Sequence, residues 1–496
     1  MTTQIIRRAS LVSAPELLNI ERFLKGHHGK IAIESEHTQY SYQSIADQVD
    51  CRVDQLRRSG ARVVALSEPD TVNWIVWDLA LLQAGCVCVP VPPFFTVSQV
   101  RHLLQQTGAD TWIGPHPDSE LLNEFGFAAG MCGWQRSTTP VDMPAETAKI
   151  TFTSGTTGTP KGVCLSAAAM LTVAKALTDI TADQSLSRYL TLLPLAVLLE
   201  NLGVWAAFIS GATVCVRNIN ALSNSAADQQ GLLQAITECR ANSMILVPQL
   251  LAGLLQAQSH GFQLPASYRF IAVGGGRVGQ RLLDRINELA WPVYEGYGLS
   301  ECASVVCLNK PSQYQPGSVG TALPHLQISI AGDGEILVHG AGVLGYVGSP
   351  HCPAQAWPTG DLGFVKDGFV YINGRKKHQF ITAFGRNVSP EWVEAELCSQ
   401  PEINQAFFYG EALPVNTAIL VPATDNKNAV QRAVDRVNAL LPEYARVGSW
   451  VAANEPFSVG NEQLTINGRL RREQILDQYQ QHFHQHGSDW SAYEVL

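Results

Sequence analysis

A loop of small residues within ITFTSGTTGTPKGVCLS, residues 150–166, has the composition of a polyphosphate-binding loop. Glycines let backbone N–H groups turn toward a ligand, serine and threonine hydroxyls add donors, and Lys161 adds a positive charge. The GxxxxGK[ST] pattern does not fit, because Pro160 stands at its glycine position and Gly162 follows the lysine. A plain surface loop is the alternative. The candidate phosphate-binding residues are Lys161 and the loop residues before it: Thr153, Ser154, Gly155, Thr156, Thr157 and Gly158.

The segment TSGTTGTPKG resembles the phosphate loop of the adenylate-forming superfamily of acyl-CoA synthetases, peptide-synthetase adenylation domains and beetle luciferases. Four further segments follow in the order and spacing of that superfamily, so the resemblance covers nearly the whole chain. It implies that the protein uses ATP to convert a carboxylic acid to an acyl-adenylate and then passes the acyl group to a thiol.

The second segment is YEGYGLSEC, residues 294–302, which resembles the superfamily pattern Y-G-x-[ST]-E. The resemblance implies that Tyr297 stacks near the adenine, that Ser300 contacts the α-phosphate and that Glu301 holds Mg²⁺, with Gly298 also among the nucleotide-binding residues. These roles are physically reasonable, because a carboxylate that attacks an anionic phosphate needs charge on both partners to be offset.

Two further segments match the ribose-binding and hinge regions of the superfamily. In WPTGDLG, residues 357–363, the resemblance makes Asp361 the acceptor for the ribose hydroxyls. In INGRKKHQF it implies that Arg375 also reaches the ribose and that Lys377 is the hinge about which the C-terminal domain swings. Without the resemblance, the run RKK would be read as a solvated group of charges.

The fifth segment, LTINGRLRRE at residues 464–473, departs from the pattern T-x-x-G-K-x-x-R. Arg469 stands where superfamily members have a lysine that bridges carboxylate and phosphate oxygens. Arginine keeps the positive charge but presents a planar fork instead of a compact ammonium. We expect Arg469 to serve adenylation; the alternative is that this step is slow or lost and that the protein is a non-catalytic nucleotide binder.

A glycine run in RFIAVGGGRVGQRLLDRI offers a competing interpretation. Gly274, Gly276 and Gly279 have the GxGxxG spacing of a dinucleotide fingerprint between a strand and a helix. That motif is weak alone, and it lies far from the N-terminus, where such a domain usually begins. The resemblance instead implies a loop that lines the adenine and acyl sites with Gly274, Gly275 and Gly276.

The acyl group is indicated by LLPLAVLLENLGVWAAFISGATV, residues 192–214, which resembles the P-L-x-H-x-x-E run of long-chain fatty acyl-CoA synthetases. Val197 replaces the histidine. Amino-acid-activating members carry an aspartate near the start of this segment to pair with the substrate ammonium, and none is present here. We therefore expect an uncharged tail, and with the aliphatic lining a medium-chain or long-chain fatty acid, held by about 0.8 kcal/mol per buried methylene.

The thiol acceptor is coenzyme A or the phosphopantetheine of an acyl carrier protein, which end in the same group. The net charge of -9 argues mildly against docking an acidic carrier, so coenzyme A is favoured. A luciferase-like oxygenase would share all five segments and ranks last.

The elements that must position these residues follow from the alternation of helical and apolar stretches. From Tyr40 to Tyr297 they predict a large α/β body of helix-covered sheets, and from Gln327 to Tyr371 tight-turn signals predict a small antiparallel or barrel-like unit. After that, two helices and a strand predict a small mobile α+β domain. The expected domains are residues 1–373 and 374–496.

Composition narrows the class of protein. The acidic balance, with an isoelectric point near 5.8, excludes a basic field for nucleic acid. The apolar run WIVWDLALLQAGCVCVPVPP is interrupted too early for a membrane span, and it predicts a buried helix followed by a buried strand. The start MTTQIIRRAS lacks the pattern of a secretory signal, and the 11 cysteines are scattered without paired spacing. These features predict reduced thiols and a cytoplasmic protein.

Overall fold

The computed structural model describes most of the chain between residues 26 and 484. The described ranges are 26–93, 95–115, 119–153, 160–217, 219, 221, 226–349, 356–382, 386–411, 413, 415–464 and 468–484. Within them, no helix has the length and apolarity needed to cross a membrane.

Two large sheets with helices on their faces make up the body. Its strands are β1 (Ile31–Glu34), β2 (Gln39–Ser41), β3 (Val63–Leu66), β4 (Val87–Pro90), β5 (Thr111–Ile113), β6 (Ala128–Ala129), β7 (Trp134–Gln135), β8 (Thr147–Thr153), β9 (Lys161–Ser166), β10 (Arg188–Leu190), β11 (Thr213–Cys215), β12 (Ser243–Leu246), β13 (Phe270–Val273), β14 (Val293–Tyr297), β15 (Cys307–Leu308) and β16 (Thr321–Ala322). Its helices are α1 (Tyr42–Ser59), α2 (Thr71–Ala84), α3 (Val97–Thr107), α4 (Ser119–Phe125), α5 (Ala167–Ile180), α6 (Leu198–Ile209), α7 (Ala226–Glu238), α8 (Pro248–Ser259) and α9 (Gln280–Glu288).

The strand order confirms the predicted α/β body. A nine-stranded sheet runs β16-β15-β14-β13-β12-β10-β11-β1-β2, and a seven-stranded sheet runs β6-β7-β5-β3-β4-β8-β9. The central neighbours are parallel, for example β12 with β13 and β3 with β4, because helices connect them over the sheet faces. The ends of β8, β13 and β14 carry three of the segments singled out by sequence.

The apolar run at residues 74–93 folds as predicted. Asp70 accepts a hydrogen bond from the Asn73 backbone and starts α2, and Gly85, with φ of 74°, ends it. Most of α2 is buried, and β4 follows it directly as a buried strand.

A buried ion pair joins three elements of the body. Lys149 on β8 lies with its Nζ 2.7 Å from Oδ1 of Asp78 on α2, and both side chains are almost fully buried. Asn201 and Trp205 of α6 donate to the other carboxylate oxygen of Asp78 at 2.9 and 3.0 Å. Both oxygens of this buried carboxylate therefore have hydrogen-bond or ion-pair partners, as a buried charge requires.

A four-stranded antiparallel sheet follows the body. It consists of β17 (Gln327–Ile330), β18 (Glu335–His339), β19 (Trp357–Lys366) and β20 (Phe369–Arg375), in that order. Tight turns join the hairpins: Gly334 has φ of 87°, and Asp367 and Gly368 have φ of 52° and 82°. The turn signals in the sequence therefore marked this unit correctly.

The C-terminal region begins after β20. Its elements are β21 (Phe380–Ile381), β22 (Asn387–Val388), α10 (Pro390–Cys398), β23 (Ile403–Tyr409), β24 (Thr417–Pro422), α11 (Lys427–Leu440), β25 (Ser449–Ala452) and α12 (Arg472–His484). β23, β24 and β25 form a three-stranded sheet. The buried apolar residues from Phe380 onward form clusters of their own, separate from those of the body.

Candidate functional site

One cleft of about 2790 Å³ is lined by the body, the antiparallel sheet and the C-terminal region. All candidate site residues that the structure describes line it: Thr153, Lys161, Gly274, Gly275, Gly276, Tyr297, Gly298, Ser300, Glu301, Asp361, Arg375, Lys377 and Arg469. The other candidates lie outside the described residues: Ser154, Gly155, Thr156, Thr157 and Gly158.

The phosphate-loop segment is bracketed by a strand pair. Thr153 ends β8 and Lys161 begins β9, and the two residues are partners in the antiparallel register. The Thr153 hydroxyl donates to the Lys161 carbonyl at 3.4 Å. The Lys161 ammonium lies 5.4 Å from the ring centre of Tyr346, within the range of a cation–π contact. Lys161 is thus held at the cleft while its charge remains available to an anion.

The turn after β14 explains the glycine of YEGYGLSEC. A Cβ on Gly298 would lie 1.5 Å from the carbonyl oxygen of Ser304, so no other residue fits there. A short 3₁₀ helix at Ser300–Cys302 follows, and Ala303 and Ser304 then adopt φ of 53° and 82°. Left-handed conformations are unfavourable for residues other than glycine, and such strain is often found at functional sites. This tight turn projects Ser300 and Glu301 into the cleft.

Glu301 is oriented by a residue that the sequence analysis did not single out. The Tyr346 hydroxyl donates to Oε1 of Glu301 at 2.9 Å, while its ring faces Lys161. Tyr346 therefore connects the cation of the phosphate-loop segment with the carboxylate of the turn. The available signal was the pair of glycines around it, Gly345 and Gly348, both with positive φ, which mark a tight loop but no chemistry.

Asp361 on β19 is the centre of a buried polar group opposite the end of β20. Arg375 is its partner in the strand register, and Arg375 Nε lies 2.8 Å from Oδ1 of Asp361. The Tyr297 hydroxyl donates to Oδ2 at 2.6 Å. Burial and the facing carboxylate raise the pKa of Tyr297, so its hydroxyl keeps the proton that it donates. An oriented carboxylate acceptor of this kind is suited to a ligand with neighbouring hydroxyl groups.

Arg469 enters the cleft from the C-terminal region. Its Nε donates to the carbonyl of Gly275 at 3.4 Å, so the arginine lies at the glycine loop between β13 and α9. Although its side chain faces the solvent in the cleft, desolvation by the surrounding walls and then the nearby Arg375 lower the pKa of its guanidinium. Arginine side chains are effectively always protonated in proteins, so the guanidinium still brings a positive charge to the cleft.

Lys377 follows β20 and lines the same cleft. Burial, and then the neighbouring Arg375, lower its pKa. The adjacent His378 hydrogen-bonds through Nδ1 to Glu391, and the Ser389 hydroxyl donates to the same carboxylate at 3.0 Å. Although burial acts in the opposite direction, the bond from His378 lowers the pKa of Glu391 to about 2. The connection at Lys377 is therefore tied to the start of α10.

One wall of the cleft carries no charge. Between residues 177 and 248, the described lining residues include no aspartate, glutamate, lysine or arginine, and Val197, Leu198, Leu199, Met244 and Val247 lie among them. Glu200 lies fully buried behind this wall, where burial raises its pKa to about 8. Around pH 7 its carboxyl is therefore mostly neutral, so it adds little charge to the wall.

Among the described residues, no group of three or more histidine, cysteine, aspartate and glutamate side chains is arranged to hold a metal ion by itself. Glu301 is the candidate that remains. Mg²⁺ is commonly bound by one or two carboxylates together with substrate phosphates and water, so a single oriented carboxylate fits that ion.

Comparison with known proteins supports an adenylate-forming site. The family model described as "AMP-binding enzyme" matches residues 20–347. The chain is 28% identical over 448 residues to the long-chain-fatty-acid–CoA ligase FadD15 of Mycobacterium bovis, covering 73% of each chain. It is 28% identical over 506 residues to the indoleacetate–CoA ligase of Aromatoleum aromaticum, covering 92% of this chain and 96% of that one.

Among solved structures, o-succinylbenzoate CoA synthetase of Bacillus subtilis in complex with an acyl-adenylate intermediate superimposes with a TM-score of 0.75. It is 23% identical and covers 92% of this chain and 97% of that one. The same enzyme in complex with ATP and a magnesium ion also gives 0.75, at 22% identity with coverage of 92% and 98%. At these identities the likeness concerns the fold, and it extends over both the body and the C-terminal region.

Proposed function

The chain belongs to the AMP-binding enzyme family, and from that premise we propose that it joins an acid with an uncharged, apolar tail to coenzyme A. As an enzyme it is an AMP-forming acid–thiol ligase. The proposed acid is a medium-chain or long-chain fatty acid. The carboxylate attacks the α-phosphate of ATP, pyrophosphate leaves, and the thiol then displaces AMP from the acyl-adenylate.

The observation that carries the proposal is the convergence of opposite charges on one cleft beside an uncharged wall. Lys161, Lys377 and Arg469 supply positive charge to a polyphosphate and to the attacking carboxylate, which otherwise repel each other. Asp361 and Arg375 form a polar pair suited to the ribose, while Tyr297 and the glycines Gly274–Gly276 border the adenine side. These roles are proposals that rest on the geometry and on the resemblance.

Mg²⁺ is the metal that we assign to the site, with Glu301 as its protein ligand. When bound, it offsets the negative charge of the phosphates. Tyr346 orients the carboxylate through its 2.9 Å hydrogen bond, as the groups behind metal ligands commonly do.

The tail of the acid is assigned from the uncharged wall of the cleft. A dicarboxylic acid or an amino acid brings a second charge, which costs several kcal/mol to bury without a partner. Because the described lining between residues 177 and 248 offers no such partner, an acid with one carboxylate and an apolar tail is the best match. The named relatives act on acids with one carboxylate but different tails, since one is a ligase of long-chain fatty acids and another of indoleacetate.

For the thiol, we propose coenzyme A instead of a carrier protein. The net charge of -9 disfavours an acidic carrier, and the curated relatives described above are coenzyme A ligases. We further propose two domains, residues 1–373 and 374–496, with Lys377 at the hinge. The separate apolar clusters from Phe380 onward support this division, and the scattered cysteines support a cytoplasmic location.

The test is pyrophosphate release from ATP and Mg²⁺ with a panel of acids from acetate to palmitate, including indoleacetate and 2-succinylbenzoate, with and without coenzyme A. We expect release that rises with the length of an aliphatic chain, and thioester that appears with coenzyme A. A preference for acetate, benzoate or 2-succinylbenzoate would refute the assignment of the tail. ATP binding without pyrophosphate release from any acid would refute ligase activity and favour the non-catalytic alternative at Arg469.

A further inference from the structure

Helix α9 of the body begins without a capping side chain of its own. Its N-cap residue is Gly279, which has no side chain to accept a hydrogen bond from the first turn. The backbone N–H of Gln280 instead donates to both carboxylate oxygens of Glu396, at 3.2 and 3.3 Å. Glu396 belongs to α10 of the C-terminal region and is buried. An acceptor at the N-terminus satisfies an otherwise unpaired donor and complements the helix dipole. The missing cap of one region is thus supplied by the other.

Gly279 itself packs closely against the C-terminal region. A Cβ at this position would lie 2.5 Å from the carbonyl oxygen of Ala395 and 2.9 Å from the Cβ of Ser399. The three nearest atoms all belong to the C-terminal region, and two of them are backbone atoms that cannot rotate away. The φ of −69° at Gly279 is ordinary for any residue. Glycine is therefore required here by the docking of α10 and not by the local conformation of the body.

A side-chain contact extends the same interface. Arg281 of α9 donates through Nη1 to Oε1 of Gln400 at 2.8 Å, and Arg436 of α11 donates to the same oxygen at 3.0 Å. Gln400 thereby fixes α9 against two elements of the C-terminal region.

Contacts between α10 and the start of α12 link this interface to Arg469. Glu394 lies two residues before Glu396 on α10. Nη2 of Arg472 donates to both carboxylate oxygens of Glu394, each at 2.6 Å. Arg472 begins α12 and lies three residues after Arg469, whose Nε contacts Gly275. Gly275 and Gly279 belong to the same connection between β13 and α9. Fixing α10 on the start of α9 therefore also fixes the segment that carries Arg469 over the glycine loop.

We propose that Glu396 and Gly279 are positioning residues for the adenylation half-reaction, because they hold the C-terminal region where Arg469 reaches the nucleotide side of the cleft. The inference rests on the proposed function. Beyond that function, we infer that two features specify the docked arrangement. Glu396 of the C-terminal region caps α9 of the body, and Gly279 leaves the space that α10 occupies.

The test separates the two half-reactions in purified full-length variants. Pyrophosphate release is measured with ATP, Mg²⁺ and the best acid of the panel, and thioester formation is measured from supplied acyl-adenylate and coenzyme A. We expect Gly279→Ala and Glu396→Ala each to lower pyrophosphate release by about tenfold or more. Thioester formation should stay within about twofold of wild type, because the swing about Lys377 takes the C-terminal region away from this contact.

Two matched variants serve as controls. Glu396→Gln should retain most of the pyrophosphate release, because its amide oxygen still accepts from the Gln280 N–H. Gly332→Ala makes the same chemical change as Gly279→Ala, at a turn where an added Cβ would meet no atom within 4 Å beyond its chain neighbours. It should leave both half-reactions unchanged.

The outcomes are distinguishable. Equal loss of both half-reactions in the two variants, or unchanged pyrophosphate release in both, would overturn the positioning role while leaving the ligase assignment intact. Absence of pyrophosphate release from the wild-type chain would instead overturn the proposed function on which the inference rests. A melting temperature for each variant shows whether a loss reflects misfolding, and the two sites provide independent tests of the same contact.

Discussion

Asp361 and Arg375 lie opposite each other on β19 and β20, with Arg375 Nε 2.8 Å from Asp361 Oδ1. The second oxygen of Asp361 accepts from Tyr297 at 2.6 Å. Both partners hold the buried carboxylate in one orientation before any ligand arrives. A pre-oriented acceptor loses little freedom on binding, so it contributes to affinity and geometry at low entropic cost.

The first prediction concerns this carboxylate. Asp361→Asn should raise the KM for ATP by roughly 10- to 100-fold, because a hydrogen bond to a charged group contributes about 1.5–3 kcal/mol. The measurement is pyrophosphate release as a function of ATP concentration. Asp367→Asn, in the hairpin turn after β19 where φ is 52°, is the control and should bind ATP normally. An unchanged KM in Asp361→Asn would remove Asp361 from the ribose site.

The second prediction concerns Arg469. Arg469→Ala should lower pyrophosphate release by about 100-fold or more, since it removes a charge that stabilises the transition state. Thioester formation from supplied acyl-adenylate should be spared. Arg469→Lys should restore much of the first step, because the ammonium keeps the charge. Arg432→Ala, at an exposed position on α11, is the matched control. Equal loss of both steps would contradict the assignment.

The third prediction concerns Tyr346, which touches Glu301 through its hydroxyl and Lys161 through its ring. Tyr346→Phe keeps the ring and loses the bond, so the Mg²⁺ concentration for half-maximal rate should rise by about tenfold. Tyr346→Ala should weaken ATP binding as well, because the cation–π contact is lost. A Mg²⁺ titration at saturating ATP measures the first effect, and an ATP titration at saturating Mg²⁺ measures the second. Tyr314→Phe, which loses a surface bond to Asn287, should match wild type.

The fourth prediction is a pH dependence of stability at Glu200. Its Oε1 accepts from the Tyr189 hydroxyl and the Leu192 N–H, its Oε2 has no hydrogen-bond partner among the residues that the structure describes, and burial raises the pKa of its carboxyl to about 8. Between the ordinary carboxyl pKa and 8, the folded protein keeps a proton that the unfolded chain has lost. The free energy of unfolding therefore falls as pH rises, by up to about 1.4 kcal/mol per unit.

Glu200→Gln cannot titrate, so its free energy of unfolding should fall less steeply between pH 5 and 8 than that of wild type. Urea denaturation at several pH values measures the difference. Glu295 and Glu394, whose pKa values burial raises to about 7, contribute equally to both proteins and cancel. Parallel curves would show that Glu200 is not the group responsible.

The fifth prediction concerns the buried pair of Lys149 and Asp78. Asp78→Ala should lower the free energy of unfolding by about 3–5 kcal/mol, because it leaves the Lys149 ammonium buried without its counter-ion. Asp179→Ala breaks a pair of the same type, with Lys175, whose partners are about half exposed. That change should cost less than about 1 kcal/mol. Similar losses in the two variants would mean that Lys149 finds another partner.

Much of the fold was predictable because it depends on patterns local in sequence. The helix and strand at residues 71–90 follow from an apolar run bounded by Asp70 and Gly85, which act as the caps that their residue types favour. Gly298 was marked by its motif, although the physical reason for the glycine, the approach of the Ser304 carbonyl, is a property of the folded chain. The site residues come from distant parts of the chain and line one cleft, which no local pattern in the sequence indicates.

What the sequence could not indicate were contacts between segments far apart in the chain. Tyr346 has no motif, and its role follows from a fold that brings it between Lys161 and Glu301. Glu396 reads as one of several acidic residues on α10, and only the docked arrangement shows that it caps α9, 116 residues away. Period and propensity describe neighbours in sequence, so they carry no information about such pairs.

The strand β20 ends at Arg375, and Lys377 follows two residues later. If a nucleotide binds the pair of Asp361 and Arg375 as proposed, it also holds the start of the connection to the C-terminal region. In the proposed function, the ribose-binding pair and the hinge at Lys377 are therefore attached to the same strand. We therefore expect a bound nucleotide to restrict the motion of the segment around Lys377, so that the C-terminal region rotates about a defined axis.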